Sequence, residues 1–287
     1  MNNSPDSLKV FQVNWSLTHR CNYSCLYCFN QNGIEKSFNL SDVIIERIFK
    51  NIKDYAADFE KFRITLTGGE PTLLSELPLI IQYIRESFNL EYVNFITNCS
   101  KIPEYFSQFL RYAQKDDFFI RCSLHPDYWN NNTKNVINSL LKNKINHMVS
   151  ILFDPSKIAV VQDMINFVQP ESCPSLRRIF GCDSIQYSED DLRFLKEINS
   201  CWGNSEEITN TIETNKFRGK TCHFGDNLLI INSDLSFSPG YCPQAEIVKL
   251  PFAFINARKI REKIKKTAIC RQSCCQIPTD LCIPKSF

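Results

Sequence analysis

The sequence predicts an α/β fold, a partial (β/α)6 barrel with a small cysteine-rich domain behind it, and three observations carry that expectation. Short β-rich runs give way to longer runs of helical apolar spacing six times in the first 200 residues. The alternation stops after about residue 200, and six of the 14 cysteines fall in the last 66 residues. At 43% hydrophobic and 22% charged, a chain of 287 residues buries a full core, which excludes disorder as its main state.

Val10–Leu17 reads as the first strand. Ser41–Tyr55 carries Val43, Ile44, Ile48 and Ile52 on a helical face, and Phe62–Thr67 is the second strand. Leu73–Phe88 reads as a helix, Tyr92–Thr97 as a strand, Pro103–Ala113 as a helix opened by proline, and Phe118–Leu124 as the fourth strand. Asn132–Leu141 (helix), Met148–Phe153 (strand), Lys157–Val168 (helix), Leu176–Ile179 (a weak strand) and Glu189–Ile198 (helix) complete the six units. Crossovers of this length are right-handed, so the units form a parallel sheet that curls into a barrel with its site in the loops after the strands' carboxyl ends. Residues 1–200 are therefore expected as the barrel and 201–287 as the appended domain. In the latter, Leu228–Ile231 and Leu235–Phe237 flank Ser233-Asp234 as a hairpin, and Ala257–Lys266 reads as a basic helix.

Composition narrows the partners. With 33 Lys+Arg against 31 Asp+Glu, the net charge of +2 offers no field to attract a nucleic-acid backbone or an anionic membrane. The polar segment Met1–Lys9 lacks a secretory layout, and no apolar run nears the roughly 18 residues a membrane span needs. A cytoplasmic location follows as the expectation, and there cysteines point to metal, cluster or redox chemistry in preference to disulfides. Taken singly, Cys122, Cys173, Cys182 and Cys201 read as small buried hydrophobes.

Cys21-Asn22-Tyr23-Ser24-Cys25-Leu26-Tyr27-Cys28 follows the first strand with the spacing C-x3-C-x2-C. Three thiolates this close can each hold one iron of a cubane cluster and leave the fourth iron open to an exogenous ligand. A zinc site is the alternative, with His19 as fourth ligand.

The triplet, with Tyr27 just before its last cysteine, resembles the signature of radical S-adenosylmethionine (SAM) enzymes. Three further stretches fall where that family's pattern puts them. Thr67-Gly68-Gly69-Glu70-Pro71 after the second strand resembles the family's GGE motif, which contacts the methionyl amino group of SAM. Consecutive glycines let a backbone approach a ligand closely; a tight turn before Pro71 is the plainer reading. Thr97-Asn98-Cys99 resembles a Thr-Asn-Gly segment with Cys99 in the glycine place, which leaves the conformation of that turn open. Arg121-Cys122-Ser123-Leu124 lies where the family carries a serine that reaches the ribose or carboxylate of SAM. The resemblance implies a TIM-like partial barrel, with Cys21, Cys25 and Cys28 holding a catalytic 4Fe–4S cluster. Tyr27 then lies against adenine, with Gly68, Gly69, Glu70, Asn98 and Ser123 contacting SAM. It further implies an external one-electron donor such as flavodoxin or ferredoxin, and reductive cleavage of SAM to a 5′-deoxyadenosyl radical that takes a hydrogen atom from substrate.

Cys222 and Cys242 bracket the expected hairpin, and Cys270, Cys274, Cys275 and Cys282 follow. This region is similar to the SPASM/twitch extension of some radical SAM enzymes, which holds auxiliary 4Fe–4S clusters. One such cluster fits the count, with Cys222, Cys242, Cys270 and either Cys275 or Cys274 as ligands; structural zinc at the same positions is the competitor. The family resemblance leaves two substrate classes, small polar biosynthetic molecules and ribosomally made peptides. The few residues ahead of the first strand favour the small molecule, since many peptide modifiers carry a leader-binding domain there. Arg121, Asp127, Asn98 and Arg178 stand at strand ends as candidate substrate contacts, though each reads first as a surface or structural group. A non-catalytic iron–sulfur or zinc protein on the same scaffold is the rival from another class.

Overall fold

A computed structural model of the chain describes residues 9–28, 39–112, 115–169, 171–179, 185–200, 218–241, 244–264, 267–269, 271 and 285–286. Cys182, Cys201, Cys242, Cys270, Cys274, Cys275 and Cys282 lie outside these residues.

Six strands pair side by side in chain order and all parallel: β1 (Val10–Thr18), β2 (Lys61–Gly68), β3 (Leu90–Thr97), β4 (Phe118–Leu124), β5 (His147–Phe153) and β6 (Ser175–Arg178). Helices α1 (Asp42–Tyr55), α2 (Leu77–Ser87), α3 (Asn131–Lys142), α4 (Ile158–Val168) and α5 (Glu189–Asn199) connect or follow them. This is the expected parallel α/β sheet, and among the described residues β6 pairs with β5 alone, so the sheet does not close into a full barrel. Two connections differ from the expected helices. The stretch expected as one helix from Leu73 is a 3₁₀ turn at Pro71–Leu73 followed by α2, because Pro78 has no amide hydrogen and fits only a first helical turn. Pro103–Tyr112 is 3₁₀ rather than α; its buried Phe106, Phe109 and Tyr112 recur every three residues, which is the 3₁₀ repeat.

Period-two alternation divides the sheet into two unlike faces. Phe11, Val13, Trp15 and Leu17 of β1, with Ile120, Cys122 and Leu124 of β4 and Val149, Ile151 and Phe153 of β5, are buried on the helix-covered side. Trp15 meets Phe49 of α1 edge-on at 6.2 Å. The opposite face carries Gln12, Asn14, Ser16, Arg121, Ser123 and Ser150, all half-buried, and the buried pair Asn94 and Thr65, joined by a 3.1 Å bond from the Asn94 amide.

The hairpin expected in the appended region extends the barrel sheet instead of standing apart from it. β7 (Thr221–Cys222) is followed by β8 (Leu228–Ile231), which lies parallel beside β1, and β9 (Phe237–Ser238) pairs back on β8. All four residues of β8 are buried, so the strand is covered on both faces. Leu229 and Ile231 join the main core, while Leu228 and Ile230 form a second cluster with Cys222, Phe224 and Ala245. Because Leu228 and Ile230 pair with Gln12 and Asn14, that second cluster stands on the polar face of the barrel sheet. A small antiparallel sheet completes the described carboxyl-terminal part: β7 lies between β10 (Ala268–Ile269) and β11 (Lys285–Ser286). Cys122 is fully buried as expected, whereas Cys173, in the loop before β6 and only half-buried, is disulfide-bonded. Among the described residues no helix is long and apolar enough to cross a membrane.

Helix α6 (Ala257–Lys263) packs Ala257 and Ile260 against the main core and adds a cationic contact from Arg261. The Arg261 guanidinium lies over the rings of Phe11, Tyr55 and Phe59 at 5.6, 5.4 and 5.2 Å, and it donates to the carbonyls of Tyr55 and Asp226. Arg261→Ala should lower unfolding stability by about 1–3 kcal/mol in urea titration, and Arg261→Lys should recover only part of it, since an ammonium cannot span three rings and two carbonyls.

Candidate functional site

Parallel pairing brings the loops after β1, β2, β3, β4 and β5 to one end of the sheet, and the sequence-predicted residues gather there. β1 and β2 stay paired to their last residues, with Gly68 opposite Thr18 after a register shift between Ser16 and Thr18. The Gly69 amide donates to the Thr18 carbonyl at 2.7 Å and the Glu70 amide to the Arg20 carbonyl at 2.8 Å. A Cβ on Gly68 would lie 2.3 Å from the Thr18 carbonyl oxygen, and one on Gly69 would lie 2.2 Å from that of Arg20. Gly68 also has φ +144°. The close approach that both glycines permit in this structure is to the chain's own backbone at the entrance of the cysteine loop.

Glu70 is buried, and its carboxylate accepts four hydrogen bonds from the protein. Oε1 accepts from the Thr72 amide (3.0 Å), the Thr72 hydroxyl (2.6 Å) and the Thr97 hydroxyl (2.9 Å), and Oε2 accepts from the Asn98 amide (2.7 Å). Burial raises its pKa, and these four donors oppose the rise. Asn98 passes the connection onward, donating from Nδ2 to Asn22 Oδ1 at 3.0 Å and toward Cys21 Sγ at 3.9 Å. Cys99, in the place of the expected glycine, keeps the left-handed turn at φ +58°, a conformation that costs a side-chain-bearing residue about 1–2 kcal/mol. Its amide bonds to the Thr97 hydroxyl (3.1 Å), and the Ser100 amide bonds to Asn98 Oδ1 (3.0 Å), which secure the turn.

The cysteine loop is clamped from the other side by His125 and Tyr128, just after β4. Tyr23 stacks on Tyr128 at 3.7 Å and 7°, and the Ser24 amide donates to the Tyr128 hydroxyl at 2.8 Å. His125 lies nearly parallel to Tyr27 at 5.9 Å; its Nδ1 is 3.0 Å from the Tyr27 hydroxyl and 3.3 Å from Cys25 Sγ. Cys21 is exposed, Cys25 buried and Cys28 between the two. The Cys25 thiol is pushed up to about 11, mainly by burial, with a bond with Tyr27 opposing the rise and Cys28 and Cys21 adding to it; burial raises Cys21 likewise, with Glu70 and Cys28 adding to the rise. Burial holds His125 down at about 4, with Asp127 pulling the other way.

Residues 15–147 match the model of the radical SAM superfamily. The matched segment holds the end of β1, β2 to β4 and the whole cysteine loop. Among solved structures, the chain resembles anSMEcpe with bound AdoMet (TM-score 0.64, 16% identity, covering 90% of this chain and 81% of that one). It likewise resembles Streptococcus suis SuiB bound to S-adenosylmethionine (TM-score 0.58, 12% identity, 83% and 63%). Among curated proteins it is 30% identical over 108 residues to an S-adenosylmethionine-dependent nucleotide dehydratase of Fibrobacter sp. (strain UWH6), covering 36% of this chain and 32% of that protein. It is 28% identical over 154 residues to a GTP 3′,8-cyclase of Clostridium botulinum (strain Hall / ATCC 3502 / NCTC 13319 / Type A), covering 53% and 48%. The chain thus spans about a third to a half of the length of these two curated relatives.

The superfamily's cofactors are a 4Fe–4S cluster and SAM, and the cysteine loop suits the cluster by its donor set. Its three soft thiols lie within electrostatic reach of one another, and the Tyr23 amide points at Cys21 Sγ from 3.4 Å. Among the described residues no three His, Cys, Asp or Glu side chains are close enough to share one ion; a cubane, which takes one thiolate per iron, asks for wider spacing than that. Beside Tyr27 opens a pocket of about 330 Å³, lined also by Leu26, Asp127, Asp154 and Lys157. Asp127 pairs with Lys157, Arg178 lies over the Tyr187 ring at 4.7 Å, and Ser123 sits half-buried on β4 opposite Ser150. Of the carboxyl-terminal cysteines, Cys222 is described, buried on β7 beside Ala268 and Lys285.

Sequence reading missed His125, Tyr128 and Thr72. His125 sits about 100 residues from its partners, so no spacing reveals the contact; its place directly after a strand, in a chain with 4 histidines, is the one signal that singles it out. Gly69→Ala should force Arg20 and with it Cys21 out of place. A loss of about 1–3 kcal/mol in denaturant unfolding and a fall in iron retained after anaerobic reconstitution are expected; an unchanged unfolding curve with full iron would show that the loop can move aside.

Proposed function

We propose that this chain is a radical SAM enzyme that cleaves SAM reductively and abstracts a hydrogen atom from a small polar molecule in the course of its oxidation or modification. The observation that supports it most is the joining of three loops. The thiols of Cys21, Cys25 and Cys28 follow β1, the Gly68-Gly69-Glu70 segment follows β2, Asn98 follows β3, and hydrogen bonds tie all three together at one end of a radical SAM domain. On this reading the three thiolates hold three irons of a 4Fe–4S cluster, which supplies the electron for cleavage of the SAM sulfonium to methionine and a 5′-deoxyadenosyl radical. The backbone carbonyls of Gly68 and Gly69 face the methionyl ammonium. Glu70 holds that segment in place through its four protein donors and stands beside the ammonium. Ser123 reaches the ribose or carboxylate, and Tyr27 with its adjoining pocket takes the adenine side. An external one-electron donor of the flavodoxin or ferredoxin kind completes the cycle, in the cytoplasm.

A polar substrate suits the polar face formed by Asn14, Asn94, Arg121 and Ser150, and the curated relatives carry nucleotides in their names. For the carboxyl-terminal region we propose one auxiliary cluster on Cys222, Cys242, Cys270 and Cys275 or Cys274. Strand pairing supports it: Cys222 lies opposite Ala268 in an antiparallel pair, and Ala268 precedes Cys270 by two residues in the sequence.

With SAM and a strong reductant the anaerobic protein should release 5′-deoxyadenosine, and Cys25→Ala should reduce release to background by chromatographic assay. Release undiminished in Cys25→Ala would refute the ligand assignment. Reconstituted protein should bind about eight irons, in two clusters; about four, with or without zinc, would exclude the auxiliary cluster and leave the first intact.

A further inference from the structure

His125 occupies a position that the packing of the fold alone does not explain. The loop is already clamped by the Tyr23–Tyr128 stack and by the Ser24 amide on the Tyr128 hydroxyl. His125 adds something different: one ring nitrogen, Nδ1, placed 3.3 Å from Cys25 Sγ and 3.0 Å from the Tyr27 hydroxyl. We propose that His125 donates its Nδ1–H to the sulfur of Cys25, with the Tyr27 hydroxyl as the second group of the same relay, and so raises the reduction potential of the cluster that Cys25 helps to hold. The inference rests on the cluster assignment of the preceding subsection.

Chemistry fixes the direction of the bond. A thiolate bound to iron has lone pairs and no hydrogen, so in a hydrogen bond between Cys25 Sγ and a ring nitrogen the hydrogen must lie on nitrogen. That selects the tautomer with hydrogen on Nδ1, and the Tyr27 hydroxyl is left to accept from the same N–H or to donate to the sulfur. A hydrogen bond to a cluster sulfur withdraws electron density and stabilises the more negative, reduced form, which raises the potential. The ring is held for this purpose on two sides, near-parallel to Tyr27 at 5.9 Å and edge-on to Tyr23 at 5.8 Å. His125 is therefore a positioning residue for the thiolate. Cys21 receives a different set, the Tyr23 backbone amide at 3.4 Å and the Asn98 side-chain Nδ2 at 3.9 Å, at an exposed place. Of the two, Cys25 is thus the buried ligand to which a ring nitrogen is applied.

The test is an EPR-monitored potentiometric titration of the full-length, anaerobically reconstituted protein, with iron content measured on the same samples. In the wild type, the reduced-cluster signal that changes on adding SAM identifies the cluster in question; if no signal changes, the reading under Proposed function fails and this inference fails with it. His125→Phe keeps a flat ring against Tyr27 and removes the donor. It should disfavour the reduced form about tenfold, a fall of about 59 mV for one electron. His125→Asn returns an N–H donor near the Nδ1 position and should restore most of that shift. Equal potentials in wild type and His125→Phe at equal iron content would overturn the proposal, as would an equal fall in His125→Phe and His125→Asn, which would assign the effect to packing. Should His125→Phe retain no cluster, His125→Asn decides alone: a midpoint near wild type supports the donor role and a tenfold loss overturns it.

Discussion

The site depends on a backbone contact that has no room for a side chain. β1 and β2 remain paired to their last residues because Gly68 and Gly69 let the second strand lie against the carbonyls of Thr18 and Arg20. Any other residue there would need to displace main chain, which is far stiffer than a side-chain tip. The two amide-to-carbonyl bonds that result, Gly69 to Thr18 and Glu70 to Arg20, carry the chain from β1 into the cysteine loop in a fixed direction. Glu70 then ties the same segment to β3 through Thr97 and Asn98, so three loops far apart in sequence behave as one body. Side chains pre-set in this way lose less freedom when they take up a ligand, which is the advantage of a site built on strand ends.

That knot also sets the electrostatics. Glu70 is a buried carboxylate satisfied by four hydrogen-bond donors, and its charge bears on Cys21. Cys28 raises both Cys21 and Cys25, and Cys21 raises Cys25, since a nearby thiolate disfavours a second one. Left to itself the loop favours neutral thiols. A cationic partner reverses that preference, because it neutralises the thiolates and the nearby carboxylate field together. The aromatic clamp of Tyr23 on Tyr128 and Tyr27 on His125 keeps the thiols from spreading apart to relieve the repulsion.

The fold was legible in the sequence wherever apolar period and chain length acted together. β4 (Phe118–Leu124) was placed to the residue and β1 to within one, because Phe11, Val13, Trp15 and Leu17 alternate without interruption. The 3₁₀ stretch at Pro103–Tyr112 was mistaken for a helix, since Phe106 and Phe109 satisfy both repeats. The destination of β8 was invisible for another reason: four apolar residues in a row state that both faces are covered but not by what, and pairing with β1 spans more than 200 residues. The site divides in the same way. Cysteine spacing and the glycine pair are local signals and could be read directly, whereas His125, Tyr128 and Thr72 act through contacts that only the assembled sheet creates.

Cys99 shows how such a site tolerates departures from a pattern. A left-handed residue without glycine carries a cost of about 1–2 kcal/mol, yet the turn is held by the bonds from the Asn98, Cys99 and Ser100 amides to Glu70, Thr97 and Asn98. Their combined contribution, at about 0.5–1.5 kcal/mol each for neutral pairs and more for the carboxylate, exceeds the strain. The glycine usual in the resembling family is therefore dispensable here only because Glu70 is already committed to the Asn98 amide. A carboxylate free to turn toward a ligand would release that amide and leave the strained turn without its strongest support. The structural role of Glu70 and the presence of a cysteine at position 99 are thus one arrangement seen from two sides, and a change to either residue has to be read through the other.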